Sequence, residues 1–263
     1  MGKPSLSPSK ISTYLACPVR YRWTYADPRG RPYLRAKGMY SFGTTLHRVL
    51  EKFHGGGETG VATIGQVAAA YDESWIDAGF SDAAEMAEAY GEGLQILERY
   101  VEEQAREPAT SQTLFVERVL KGEYEHFRLI GRLDRVDERA DGVLEIVDYK
   151  SGRTEVSSDD VVADLAMGCY QLLLSKLHPG RPMVATIVAL RSGARASCGF
   201  SPEELAEFER DLVKLGDQIV TDEIFDRLPS WKPLCAQCDF LTLCRRHPDF
   251  DEPPSEVARG ENW

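Results

Sequence analysis

Residues 144–152 read "LEIVDYKSG", a strand-like apolar run that ends in charged side chains. Successive side chains of an extended chain alternate between two faces, so Asp148 and Lys150 point the same way and Tyr149 points to the other face. Tyr149 is therefore predicted to pack in the interior. On this stretch alone two interpretations of Asp148 and Lys150 stay open: a surface ion pair that contributes about 0–1 kcal/mol, or part of a functional site.

The composition is that of an ordinary soluble protein, with 263 residues of which 43% are hydrophobic and 28% charged. The sequence shows neither an apolar export signal nor a run long enough to span a membrane, so a cytoplasmic protein is expected. A formal net charge of −11 argues against broad electrostatic attraction to nucleic acid. The stretch from Lys3 to Arg48 is different, because it contains many basic residues and a single acid, Asp27. This basic region can still bind the phosphates of a nucleic acid.

The order of predicted elements indicates an α/β fold. Helical spacing precedes three β-favouring runs joined by short polar turns, and a helix, two strands and a further helix follow. A Ser-x-x-Glu capping box, Ser201 to Glu204, marks the start of the last helix. Residues 58–108 contain much Ala and Glu and are predicted to form a helical insertion of two helices.

A second aspartate belongs to the strand before the opening stretch. Asp134 lies in "LIGRLDRVDE", and a hairpin around Asp141 and Gly142 would make Asp134 and Asp148 cross-strand or diagonal neighbours. Facing carboxylates destabilise a sheet unless something compensates them, and a hard divalent cation commonly does so. Mg²⁺ or Mn²⁺ held there would bind a phosphodiester oxygen and lower the pKa of a water, which Lys150 would orient or activate. These residues therefore indicate phosphodiester hydrolysis.

The spacing of these residues resembles that of a known family. Asp134, followed by Asp148 and Lys150, is similar to the Asp…(Asp/Glu)-x-Lys signature of the PD-(D/E)XK nuclease superfamily. The segments "GRLDRVD" and "EIVDYKSG" resemble its RecB-type exonuclease branch. The resemblance implies a restriction-endonuclease-like core, with a central mixed β-sheet flanked by helices, in one domain over residues 1–263. It also implies that His47 in "FGTTLHRVLE" is a metal ligand, although a lone helical histidine is more often structural.

The same resemblance implies two further site residues. Glu117 in "FVERVL" matches an acidic residue that the family often has on the strand before Asp134, and a solvated strand glutamate is an equal alternative. Gln171 in "CYQLLLSKL" is similar to a Gln-x-x-x-Tyr helix motif that contacts substrate or the catalytic lysine. Ser175 stands at the tyrosine position, and Tyr170 is the candidate substitute. The implied catalytic residues are Asp134, Asp148, Lys150 and Gln171. The implied ligands of Mg²⁺ or Mn²⁺ are His47, Glu117, Asp134 and Asp148.

Six cysteines are present. The apolar surroundings of Cys169 and Cys198 predict core positions. The segment "CAQCDFLTLC" places Cys235, Cys238 and Cys244 in a C-x₂-C-x₅-C spacing. Three close thiols with a fourth ligand suit either tetrahedral zinc or a cubane cluster, and four unliganded thiols are the remaining alternative, so spacing alone does not choose.

The family resemblance implies one of these alternatives. In its iron-sulfur members, which include AddB-like nucleases and CRISPR-associated exonucleases, one N-terminal cysteine and such a trio hold a [4Fe-4S] cluster. The resemblance therefore implies an iron-sulfur region over residues 231–248 together with Cys17, so that a metal cluster joins the N- and C-terminal segments.

The resemblance implies a metal-dependent exonuclease that acts on DNA ends or single strands in recombination, repair or CRISPR adaptation. Because the chain is acidic, a partner such as a helicase is expected to supply part of the DNA affinity. A non-catalytic DNA-binding or scaffold module is the alternative, and a zinc-bound architectural protein is a third hypothesis. A histidine ligand mildly favours Mn²⁺ over Mg²⁺, because imidazole is softer than a carboxylate oxygen.

Overall fold

The computed structural model of the protein describes residues 2–55, 63–106 and 111–253. This part of the chain divides into two units. The sheet unit comprises the residues up to Pro8 and Ala36–Lys214, and the terminal unit combines Ser9–Arg35 with the described residues after Lys214. The single domain expected over residues 1–263 stays a prediction.

The described chain alternates between short terminal helices, long helices and six strands. In chain order these elements are β1 (Ser5–Leu6), α1 (Pro8–Ala16), α2 (Pro18–Tyr21), a π-helical turn (Arg22–Ala26), a 3₁₀ turn (Pro28–Tyr33), α3 (Gly38–His54), α4 (Ile64–Ser74), α5 (Ala83–Arg106), β2 (Ser111–Glu123), β3 (Arg128–Arg139), β4 (Leu144–Lys150), α6 (Ser158–Ala163), α7 (Leu165–Leu177), β5 (Met183–Ala189), β6 (Arg195–Cys198), α8 (Pro202–Thr221), a second 3₁₀ turn (Pro233–Gln237) and α9 (Leu241–Cys244).

The six strands form one mixed sheet. Its order is β1, β3, β4, β5, β6. Strands β1 and β4 pair with different parts of one edge of β3, and β2 pairs with the opposite edge. The pairs β2–β3, β3–β4 and β5–β6 are antiparallel, whereas β1–β3 and β4–β5 are parallel. Short turns such as the one at Gly142, whose φ is 82°, permit the antiparallel pairs. The helical crossover of α6 and α7 permits the parallel pairing of β4 with β5. The predicted α/β fold with a mixed sheet is confirmed.

Helices α3, α4 and α5 pack together and share a core with β4 and β5. On α3 the buried apolar residues Phe42, Leu46, Val49 and Leu50 follow helical spacing, which turns one face of this helix to the core. Helices α4 and α5 occupy the predicted insertion, and the predicted residues 58–62 and 107–108 lie outside the described residues.

The helix predicted after β4 is divided in two at Asp164. The Asp164 carboxylate accepts hydrogen bonds from the main-chain N–H groups of Ala166 and Met167, at 2.8 Å and 3.4 Å, and so caps α7. The predicted capping box of α8 is present, because Ser201 and Glu204 each accept the other's main-chain N–H.

The terminal unit brings residues from the two ends of the described chain together. Tyr14 donates its hydroxyl to Asp222 at 2.9 Å, and the Lys232 ammonium donates to the carbonyl of Ala16 at 2.7 Å. The Cys169 side chain is fully buried, as predicted, whereas Cys198 on the edge strand β6 is only half-buried, so its predicted core position is wrong. Among the described helices, none combines the length and the apolar character that crossing a lipid bilayer requires.

Packing of α5 against its neighbours depends on Gly93. A Cβ at this position would lie 2.2 Å from Tyr71 Oη and 3.0 Å from Phe42 Cε2. Gly93→Ala should lower the free energy of unfolding by about 1–3 kcal/mol, because rigid aromatic rings must shift. Gly91→Ala is the matched control on the same helix: its Cβ meets nothing within 4 Å, so stability should rise by about 0.5–1 kcal/mol. Urea unfolding measures both effects, and a stabilised Gly93→Ala protein would contradict this packing.

Candidate active site

Strands β3 and β4 stop pairing just before the two predicted aspartates. Their register ends with Arg135 opposite Val147. One further step along this register places Asp134 opposite Asp148, which is the cross-strand one of the two arrangements, cross-strand or diagonal, expected from the sequence. Further along the same edge, β3 pairs with β1 instead. The two carboxylates therefore lie at the fork where β4 leaves β3.

The main chain of Tyr149 is diverted at this fork. A continued ladder would exchange hydrogen bonds between Tyr149 and Leu133. Instead, the Tyr149 N–H donates to Asp134 Oδ2 at 2.9 Å, and the Tyr149 carbonyl lies 3.0 Å from His47 Nε2. Both polar groups of one residue thus hold side chains of the site. The Tyr149 side chain is buried, as predicted from strand alternation.

His47 reaches the fork from α3 and has distinct surroundings at its two ring nitrogens. Because a carbonyl can only accept, Nε2 donates to Tyr149, and Nδ1 faces the carboxylates. Nδ1 lies 3.3 Å from Asp134 Oδ1 and 3.9 Å from Glu117 Oε1. Burial alone would lower the pKa of His47, but the hydrogen bond and charge of Asp134, with Asp148 and Glu117, outweigh burial and raise it to about 9. Without a cation, this imidazole serves as the positive partner of the acids.

Glu117 occupies a distorted position in β2. Its φ of 46° lies in the left-handed region, which a non-glycine strand residue rarely adopts. The register of β2 with β3 places it level with Asp134. The exposed Arg132 forms an ion pair with the Glu117 carboxylate. Burial raises the pKa of Glu117, and the charge of Asp134 adds to the effect. Such strain is often found where a side chain must be aimed at a site.

His47, Glu117 and Asp134 could hold a metal ion together. Each offers one ligand atom, and these atoms lie within 4.8 Å of one another; within the described ranges this is the one such group of three or more. Two carboxylate oxygens and one imidazole nitrogen suit Mg²⁺ or Mn²⁺. The donor set therefore fits the predicted ion.

Asp148 and Lys150 form a neighbouring pair. Lys150 Nζ lies 2.8 Å from Asp148 Oδ2 and 3.2 Å from Asp164 Oδ2. The first contact is an ion pair with a buried carboxylate. Burial raises the pKa of Asp148 to about 6, and Asp134 adds to the effect. The carboxylate of Asp148 is outside the close group of three, and its role as a metal ligand stays a prediction.

Two helix residues were assigned from the family motif. The side-chain oxygen of Gln171 accepts the main-chain N–H of Phe200 at 3.0 Å, which ties α7 to the segment after β6. Its catalytic role stays a prediction. Burial raises the pKa of Tyr170, and the charges of Asp148 and Asp134 add to this effect.

Sequence reasoning missed Asp164. The residue combines two contacts, the cap of α7 and the ion pair with Lys150. Its position directly before the apolar run of a helix signals a cap, and only the fold shows that β4 and the start of α7 meet.

A groove of about 460 Å³ opens beside the three ligands. Arg48 and Arg132 supply positive charge to it, and Tyr40, whose side chain is 60% exposed, supplies an aromatic surface. Cations and exposed aromatic rings are the groups that hold the phosphates and bases of single strands.

The four patterned cysteines all belong to the terminal unit. Burial raises the pKa of Cys244 to about 11, and the thiols of Cys238, Cys17 and Cys235 add to this effect, so the four lie close enough to interact. The Cys17 sulfur also accepts the main-chain N–H of Arg20 at 3.4 Å, which fixes it at the start of α2. Four cysteine sulfurs from two distant segments suit a four-ligand metal centre.

Comparison with known proteins adds to this geometry. No curated protein matches the chain. The solved structure of SSO0001 shares 13% sequence identity, with a TM-score of 0.41, over 93% of this chain and 87% of its own. A candidate exonuclease from Eubacterium rectale shares 15% identity, with a TM-score of 0.40, over 87% of this chain and 99% of its own. The family model described as the PD-(D/E)XK nuclease superfamily matches residues 5–245. With this match over most of its length and a mixed sheet flanked by helices, the chain belongs to the PD-(D/E)XK nuclease superfamily, whose core is restriction-endonuclease-like.

Proposed function

We propose that the protein is a divalent-metal-dependent DNA exonuclease of the RecB-type branch, which acts on single strands or ends in recombination, repair or CRISPR adaptation. The observation that carries the proposal is the group of His47, Glu117 and Asp134 at the fork of the sheet. Lys150 beside Asp148 supplies the cation that the superfamily signature requires. A helicase partner, which would supply part of the DNA affinity, belongs to the same proposal.

Each of the three proposed ligands of Mg²⁺ or Mn²⁺ is positioned by a different part of the sheet or its main chain. Asp134 is fixed by the Tyr149 N–H, and His47 is oriented by the Tyr149 carbonyl, so both present their remaining atoms to one point. Glu117 closes the third side from β2. When bound, the ion would supply Lewis-acid activation of a water and of a phosphodiester oxygen.

Lys150 acts as a fixed positive charge. Burial alone would lower its pKa, but Asp148 and Asp164 outweigh burial, so the pKa is raised and the amine keeps its proton. An ammonium cannot accept a proton from water. Of the two roles left open by the sequence, this favours orienting the water and offsetting negative charge on the phosphate over removing the proton.

The groove favours a single strand as substrate. Arg48 and Arg132 line the groove and can pair with the phosphates of a backbone, and the exposed ring of Tyr40 offers a surface for an unpaired base. The bases of a duplex are stacked on each other and would not reach this ring.

We also propose that Cys17, Cys235, Cys238 and Cys244 hold a [4Fe-4S] cluster. The mutual electrostatic effect of the four thiols supports a shared centre.

Replacing Lys150 tests the catalytic proposal. Lys150→Ala should slow degradation of a fluorescent single strand by about 10²–10³-fold in Mg²⁺ or Mn²⁺, because a preorganised charge at the reacting phosphate is lost. The protein is purified anaerobically, and gel analysis of end-labelled DNA gives the rate. Equal rates for wild type and variant would overturn the mechanism.

Lys176→Ala is the matched control for that measurement. Lys176 forms an ion pair with Glu209 at 2.5 Å and does not line the groove, so its loss should leave the rate unchanged. A closed circular strand distinguishes the two modes of cleavage: an exonuclease leaves it intact, and its degradation would replace the exonuclease proposal with an endonuclease.

Replacing Cys17 tests the cluster. Cys17→Ser should remove the brown colour, lower the iron and sulfide content and lower the melting temperature, because a cross-link that closes so long a loop contributes on the order of 2–5 kcal/mol. Cys198→Ser, which changes a half-buried cysteine outside the set, should keep all three properties. A Cys17→Ser protein with unchanged iron content, or a wild type that contains zinc, would refute the assignment.

A further inference from the structure

The main chain of Tyr149 forms hydrogen bonds with both His47 and Asp134, and its side chain continues away from them into the core. We propose that Tyr149 is a positioning residue, whose phenol is anchored to Tyr100 so that its N–H and carbonyl keep Asp134 and His47 in register. The inference deepens the proposed function, because it rests on these two side chains being metal ligands.

The anchor is a buried hydrogen-bonded network. The Tyr149 hydroxyl lies 3.1 Å from the Tyr100 hydroxyl. The Tyr100 hydroxyl accepts a hydrogen bond from Arg135 at 3.0 Å and lies 2.8 Å from His54 Nε2. The Arg135 guanidinium also lies over the Tyr149 ring, 5.8 Å from its centroid. Strands β3 and β4 and helices α3 and α5 thus meet at one phenol pair.

The charge in this network is balanced without solvent. Arg135 and Asp137, 3% and 4% exposed, form an ion pair at 3.2 Å. Asp137 also accepts the Thr113 hydroxyl at 2.9 Å. Burial, together with the charge of Arg135, lowers the pKa of His54 to about 2, so His54 is a neutral partner. Because a buried charge is costly unless it is paired and hydrogen-bonded, these groups tolerate little displacement.

Tyr149 needs such an anchor because one edge of its strand is open. Pairing of β4 with β5 continues through Lys150 opposite Ala189, which holds the far edge. On the β3 side, the ladder ends at Val147, and Tyr149 contacts side chains in place of a strand. A rotation of Tyr149 about the strand axis would move its N–H and carbonyl together, and the phenol anchor opposes that rotation.

Tyr149→Phe tests the proposal, since it removes only the hydroxyl whose partner is Tyr100. In the metal-free, uniformly ¹⁵N-labelled protein, solvent exchange of the residue-149 amide proton and of the His47 Nε2 proton should become about five- to tenfold faster. Calorimetric titration with Mn²⁺ should show a dissociation constant raised about tenfold. Tyr100→Phe removes the same hydrogen bond from α5 and should change both readouts in the same direction.

Tyr71→Phe is the matched control. Tyr71 lies fully buried in the same core, and its hydroxyl has no hydrogen-bond partner among the described residues, so both readouts should stay at wild-type values. Unchanged exchange and Mn²⁺ affinity in Tyr149→Phe would overturn the proposal. Equal changes in Tyr71→Phe would also overturn it, because they would indicate general loosening of the core.

Failure of the nuclease proposal can be distinguished from failure of the positioning role of Tyr149. A wild type that binds Mn²⁺ but degrades no strand would refute the proposed function, while faster exchange in Tyr149→Phe would still support the positioning role. A wild type that binds no Mn²⁺ would refute the metal site, and the exchange measurement alone would then decide the role of Tyr149.

Discussion

The hydrogen bond from the Tyr149 N–H to Asp134 Oδ2 decides where the sheet ends and the site begins. A side chain accepts the donor that a neighbouring strand would otherwise use, so β4 separates from β3 without a buried unpaired N–H. The space this opens is reached by α3 from one direction and by β2 from another. Continuous pairing through this point would tie both main-chain groups of Tyr149 to β3. Much of the local geometry follows from this one exchange of partners.

The site is an accumulation of negative charge that the protein balances only in part. Asp134, Asp148, Glu117 and Asp164 face the positive groups of His47, Lys150 and Arg132. The pKa values of His47 and Asp148 are both raised, that of Asp148 mainly by burial, so a proton on either group relieves the repulsion among the carboxylates. A bound divalent cation would balance the carboxylates instead. The His47 imidazole could then lose its extra proton and offer its lone pair to the metal.

Sequence reasoning succeeded where local periodicity and residue counting are sufficient. Strand alternation assigned Tyr149 to the core, and counting from Asp141 and Gly142 made Asp134 and Asp148 cross-strand or diagonal neighbours. Asp164 escaped notice because a helix cap is a complete local explanation for an aspartate, and its contact with Lys150 depends on the crossover. The sequence also could not predict the contacts of the Tyr149 main chain, since every residue has an N–H and a carbonyl. These two groups are free to hold side chains only because the pairing of β4 with β3 ends before Tyr149.

The terminal unit combines Ser9–Arg35, which lies between two parts of the sheet unit in sequence, with the described residues after Lys214. This arrangement has a consequence for synthesis on the ribosome, where N-terminal segments emerge first and domains generally fold as units. The sheet unit is complete once Lys214 has emerged, whereas Cys17 must wait for Cys235, Cys238 and Cys244 at the far end of the described chain. The first helices to be translated, α1 and α2, are therefore among the last to find their partners, and Cys17 stays apart from the other three patterned cysteines until then.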